Sequence, residues 1–178
     1  MLADIARLVL DIAATLLGSL LLLRAYMFWL GMPARNPLAQ FAFALTDWLV
    51  RPLARLIPRR GRIEWPALAG AALVAAVFLA ALLLLVGMPF DPLAVLASAF
   101  LQLLRWALYL MMWLTILHAL LSWVNPHAPI APAMAALVRP FLAPIQRLIP
   151  PVGGIDLSPI VLIVVINVAL MVIARLGF

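Results

Sequence analysis

The polar groups from which this 178-residue chain could build a site are few, and the densest set is Gly153-Gly154-Ile-Asp156-Leu-Ser158-Pro159. Its glycines bare backbone amides, Asp156 offers a carboxylate and Ser158 a hydroxyl, a set that could hold an ion or a lipid headgroup. The same residues also describe a turn and a helix start. Glycine reaches positive φ at little cost, a carboxylate suits the positive end of a helix dipole, and serine caps the first turn. The second candidate is Arg24, inside the apolar run Leu21-Leu-Leu-Arg-Ala-Tyr-Met-Phe-Trp29. A charge there is costly unless it is paired or its stem reaches an interface. It either anchors a helix end or belongs to a polar pathway.

Catalysis finds little support. Cysteine is absent, which removes disulfides, thiol nucleophiles, iron–sulfur ligation and cysteine-based zinc sites. His118 and His127 flank a proline-containing turn and have no further ligand at metal-binding spacing. No nucleophile can be placed beside a base, so neither an enzyme, a metal nor a cofactor is expected. His118 and Asn167 read as hydrogen-bonding residues between helices, and Arg105 as an anchor at the outer interface. Arg59, Arg60 and Arg62 form a basic cluster suited to anionic lipid headgroups or to a docked protein partner.

These residues sit in a chain that is 69% hydrophobic and 10% charged, with a mean hydropathy of +1.23. Soluble domains carry about 25% charged residues, so this is the composition of an integral membrane protein. The net charge of +6 comes entirely from arginine. Without a soluble segment large enough to carry a basic reading face, that charge points to membrane orientation and not to nucleic acid. The first apolar run continues past signal-peptide length, and a retained first helix is expected.

Four stretches have the roughly 20 apolar residues that a helix needs to cross a bilayer: about 5–32, 66–87, 93–124 and 158–176. Between the first two, residues 37–57 place Leu38, Phe41, Leu45, Trp48, Leu49, Leu53 and Leu56 at helical spacing, with Gln40, Asp47, Arg51 and Arg55 interleaved. That pattern predicts an amphipathic helix lying in the interface and kinked by Pro52. A second surface segment spans about 129–149, where Pro140 and Pro144 argue against one uninterrupted helix and allow a shallow re-entrant path. Glu64 and Pro66 mark the start of the second crossing, and Ser158 as cap with Pro159 marks the fourth. Rows of alanine at 67, 71, 75 and at 72, 76, 80 suit close helix packing. Trp29, Trp48, Trp65 and Trp123 fall at expected helix ends and surfaces, as in an interfacial belt.

The chain is internally duplicated. Pro52-Leu-Ala-Arg55-Leu-Ile-Pro58 returns as Pro144-Ile-Gln-Arg147-Leu-Ile-Pro150, followed by Gly61, Ile63 and Glu64 in one copy and by Gly153, Ile155 and Asp156 in the other. The expected fold is all-α: four transmembrane helices in two parallel repeats, residues 1–88 and 89–178, each with a proline-kinked surface helix. Eight of the twelve arginines lie in the loops after the first and third crossings. The positive-inside rule therefore puts the surface segments in the cytoplasm and both termini outside.

At this level of detail the chain resembles the YggT (YlmG) family, in its two-copy bacterial form. The resemblance rests on Leu-Leu-Leu-Arg24, Asn36-Pro37, Pro52-x-x-Arg55-x-x-Pro58 and Gly61-x-Ile63-Glu64, and on Ser122-Trp123-Val-Asn-Pro126, Pro144-x-x-Arg147-x-x-Pro150 and Gly153-Gly154-x-Asp156-x-Ser158-Pro159. It covers nearly the whole chain. The resemblance implies an inner-membrane protein tied to osmotic stress and potassium homeostasis, to cell division or nucleoid distribution, or, in plastids, to cytochrome cofactor assembly. It implies no shared biochemical activity. Two departures are visible: single arginines, Arg55 and Arg147, stand where the family often has an adjacent pair, and Gly-Arg-Ile-Glu-Trp-Pro66 replaces the full glycine-rich signature in the first copy. The expected role is a non-enzymatic scaffold or accessory factor in membrane, osmotic or ion homeostasis. An oligomeric channel or transporter for a small ion such as potassium is the alternative. Anionic lipids, a protein partner and further copies of the chain are the expected contacts.

Overall fold

The computed structural model describes residues 2–58, 61–87, 91–149 and 156–176. Among these residues it contains six helices and no strand: α1 (Leu2–Trp29), α2 (Pro37–Leu56), α3 (Trp65–Val86), α4 (Pro92–Val124), α5 (Ala131–Leu148) and α6 (Ser158–Leu176). Four of them, α1, α3, α4 and α6, are long and apolar enough to cross a membrane. The expected all-α architecture with four long apolar helices and two intervening helices is present, and the helix limits fall within three residues of the expected ones.

Local chemistry sets those limits. Asn36 caps α2 by accepting from the Leu38 N–H at 3.0 Å, and Pro37 follows at the first helical position, where its missing N–H costs nothing. Gly31 and Gly87 end α1 and α3 at φ 68° and 71°, a region side-chain-bearing residues avoid. One expectation fails: α5 is a single helix despite Pro140 and Pro144. Both prolines are exposed and lie four residues apart on one face, so the carbonyls they leave unbonded point outward and not into the packed interior. Pro52 is exposed in the same way within an unbroken α2.

Packing divides the chain into two compact units, Met1–Ala107 and Leu108–Phe178, with the boundary inside α4. In the first, α1, α2 and α3 pack on one another. Lipid tails are as apolar as leucine, so membrane helices gain from close approach and not from escaping water. Ala67, Ala71 and Ala75 provide that approach and are fully buried, Ala67 and Ala71 in one cluster with Leu21, Ala25 and Val50, whereas Leu73, Val77 and Leu84 on the same helix are exposed. Further along, Trp106 of α4 is buried with Ala14, Ala75 and Phe78, and its indole N–H donates to Thr15 Oγ1 at 3.1 Å. Gly18 makes this possible, since a Cβ there would overlap the Trp106 ring.

In the second unit α5 packs on α6. Met134, Leu137, Val138 and Leu142 form the buried face of α5, and Leu162 and Ile166 that of α6. Asn167 bonds within its own helix, its amide donating to the Ile163 carbonyl at 2.8 Å, and lies 3.9 Å from the Met112 sulfur of α4.

Candidate functional site

Arg24 is 3% exposed, and its guanidinium turns to partners on the neighbouring elements. Its Nε and Nη2 donate to the two oxygens of Glu64 at 3.0 Å each, a bidentate fork. Its Nη1 donates to Thr46 Oγ1 at 3.0 Å and to Asp47 Oδ1 at 2.6 Å. Four of the five guanidinium donors are thereby used, and the Phe43 ring centroid lies 4.6 Å from the guanidinium carbon. The Thr46 hydroxyl in turn donates to the Ala42 carbonyl at 2.6 Å, and Asp47 also accepts from Arg51 Nε at 3.0 Å. One guanidinium thus ties together the end of α1, the middle of α2 and the start of α3.

Each partner is delivered by local structure. Glu64 is the residue before α3, and its carbonyl accepts from the Ala67 and Leu68 N–H groups. Its carboxylate makes no cap bond and turns to Arg24 instead. Thr46 sits on the buried face of α2 with Ala39, Ala42 and Val50, and Asp47 is one position around from it. Large apolar side chains of α2, among them Phe41, Trp48 and Leu56, stay exposed. Burial opposes a charge on Asp47, but hydrogen bonds from Arg24 and Arg51, and their positive charges, outweigh it and hold the carboxyl below its ordinary value. A half-open pocket of about 530 Å³ adjoins the cluster, walled by Met27, Phe28, Met32 and Phe43, with Arg51 and Asp47 on its polar side.

The second unit has a smaller polar centre at the entry to α6. Asp156 Oδ1 accepts from the Ser158 N–H at 2.9 Å and Oδ2 from Gln146 Nε2 at 2.8 Å. Partial burial acts to raise its carboxyl, yet hydrogen bonding from Ser158 and Gln146 prevails and lowers it. The cap expected from Ser158 is supplied by Asp156. The Ser158 hydroxyl is fully buried close to that carboxylate but makes no hydrogen bond of good geometry. Asp156 also lines a pocket of about 210 Å³ with His118, Ser122, Trp123 and Pro159.

Other expected positions are scattered. Arg55 and Arg147 are exposed in the last turns of α2 and α5, where a cation suits the dipole. The helices end alike, Ile57 and Ile149 donating to the Leu53 and Ile145 carbonyls at 2.8 and 2.9 Å. Arg62 is exposed. Gly153, Gly154, Arg59 and Arg60 lie outside the described residues. Among those described, no three histidine or acidic side chains converge on a metal-sized site.

The sequence alone does not single out the partners of Arg24: Glu64 reads as a helix-start residue and Asp47 as part of a polar helix face. A signal existed: a mid-span arginine demands a counter-charge, and the duplicated acidic position offers one.

Four long apolar helices mark a polytopic membrane protein, and in its first unit α1, α2 and the start of α3 are joined by an ionic clamp. The chain belongs to the CCB3/YggT family, whose model matches residues 3–89 and again 97–177. It is 35% identical over 156 residues to the uncharacterized protein YggT of Escherichia coli K12, covering 87% of this chain and 81% of that one. A Vibrio alginolyticus protein is 33% identical over 132 residues, 72% of this chain and 71% of the relative, and a Haemophilus influenzae protein 30% identical over 147 residues, 82% and 78%. No solved structure matches the chain.

Proposed function

We propose that this protein is a non-enzymatic scaffold or accessory factor of the inner membrane, serving membrane, osmotic or ion homeostasis. In this reading two parallel repeats each hold a surface helix on the cytoplasmic side, with the termini outside. The observation that carries it is the contrast between inner and outer charges. Arg24 is spent on Glu64, Thr46 and Asp47, which ties α2 to the spanning helices, whereas Arg55, Arg62 and Arg147 are exposed to meet lipid headgroups or a partner. A guanidinium with four donors engaged is poorly suited to handing ions along a pathway.

A photocrosslinking residue at Arg62, used in native membranes, tests the scaffold reading. The expected product is one reproducible protein adduct; capture of lipid alone would overturn it. The second reading, an oligomeric channel for a small ion such as potassium, draws on the half-open pocket beside Asp47 and Arg51.

A further inference from the structure

The Arg24–Glu64 pair has a counterpart in the second half of the chain, hidden by a change of register. Near the acidic position the two copies are related by 92 residues, Glu64 to Asp156. The surface helix is 20 residues long in the first copy and 18 in the second, so upstream of it the relation becomes 94. Trp29 then corresponds to Trp123, and Arg24 to His118. The family matches agree: Arg24 and His118 stand equally far from the starts of their segments, at residues 3 and 97.

The structure brings His118 and Asp156 to the walls of one pocket in the second unit, as it brings Arg24 to Glu64 in the first. No hydrogen bond joins them directly. The carboxylate is already oriented, held by the Gln146 side chain and the Ser158 N–H. Of the elements around it, α5 contributes only the neutral Gln146; its cations, Arg139 and Arg147, are exposed and do not line the pocket. Asp47 has no carboxylate counterpart in α5 either, since position 139 is arginine and 141 phenylalanine.

We propose that His118 and Asp156 form a proton-binding site, the titratable version of the permanent Arg24–Glu64 clamp. Arginine keeps its charge at every physiological pH, whereas imidazole changes charge between about pH 5 and 8. Protonation of His118 places an imidazolium opposite an ionised carboxylate, and the 210 Å³ between them gives the two room to close on one another. Acidification on that side of the membrane tightens the junction of α4, α5 and α6; alkalinisation releases it. The first repeat does not respond. The chain favours a clean response, because it has two histidines and no cysteine, and the other histidine, His127, is exposed in a loop.

Hydrogen–deuterium exchange of the full chain in lipid nanodiscs, corrected for the intrinsic pH dependence, tests this between pH 5.5 and 8. Amides at the start of α6 and the end of α5 should gain roughly two- to fivefold protection at the lower pH, the effect of one partly exposed ion pair. Amides of α2 and α3 should stay unchanged. H118Q should abolish the gain, H118R should give the protected state at both pH values, and H127Q should leave the wild-type response. A wild-type protein without the gain, a gain that survives in H118Q, or its loss in H127Q would overturn the proposal.

Discussion

Replacing Glu64 by leucine strands the Arg24 guanidinium in the interior of the first unit, and the geometry says how much that should cost. Two charge-assisted hydrogen bonds of 3.0 Å disappear from a pair whose members are 3% and 1% exposed. Such bonds contribute about 1.5–3 kcal/mol each, and breaking a buried ion pair from one side costs about 3–5 kcal/mol. Asp47 remains 2.6 Å from Nη1 and offsets part of the loss, which places Glu64→Leu at the lower end, about 3 kcal/mol. Arg24→Met should cost a comparable amount, since it leaves the Glu64 carboxylate buried. The double variant should cost much less than the sum, with a coupling of about 2–3 kcal/mol, because no charge is then left unpaired. Reversible unfolding by SDS titration in mixed micelles measures all three. Single variants within about 0.5 kcal/mol of wild type, or strictly additive losses, would mean that the pair does not hold α1 to α3.

The remaining predictions concern packing and acid. Gly18→Val forces a side chain into the space of the Trp106 indole, and overpacking of this kind should destabilise the first unit by about 1–3 kcal/mol in the same assay, while Gly31→Ala, at a site with open space around it, should disturb only its own turn. The Asp47 carboxyl lies below its ordinary value of 3.8 in the folded protein, so its contribution to stability is complete above that pH and is lost as pH falls through the lowered value. Unfolding of Asp47→Asn should therefore show a smaller acid-side loss than wild type below about pH 4, the remainder coming from Asp156, whose carboxyl is also lowered.

The helices were legible because apolar periodicity, proline and glycine act locally: Asn36-Pro37, Glu64 with Pro66, and Gly87 each mark a boundary that the structure keeps. Proline misled where its setting mattered. Whether Pro140 and Pro144 break a helix depends on what the freed carbonyls face, and exposure is a tertiary property. The clamp was legible only in half. Arg24 stood out as a charge in an apolar run, but its fork partner lies 40 residues away and Asp47 23 away, and only packing of three helices brings them together. Ser158 reads as a cap because serine often is one; in the structure it is the first residue of α6, and the Asp156 carboxylate accepts its backbone N–H. The correspondence of His118 with Arg24 is masked in the sequence because two residues fewer in α5 shift the register between the copies.

Under the proposed scaffold function the buried charges of this protein hold helices together and do not conduct. Potassium efflux from loaded liposomes containing folded protein is the decisive measurement, with wild type beside Arg24→Gln and Asp156→Asn. Efflux equal to that of protein-free liposomes is expected for all three. A protein-dependent efflux that changes when Arg24 or Asp156 is neutralised would contradict it.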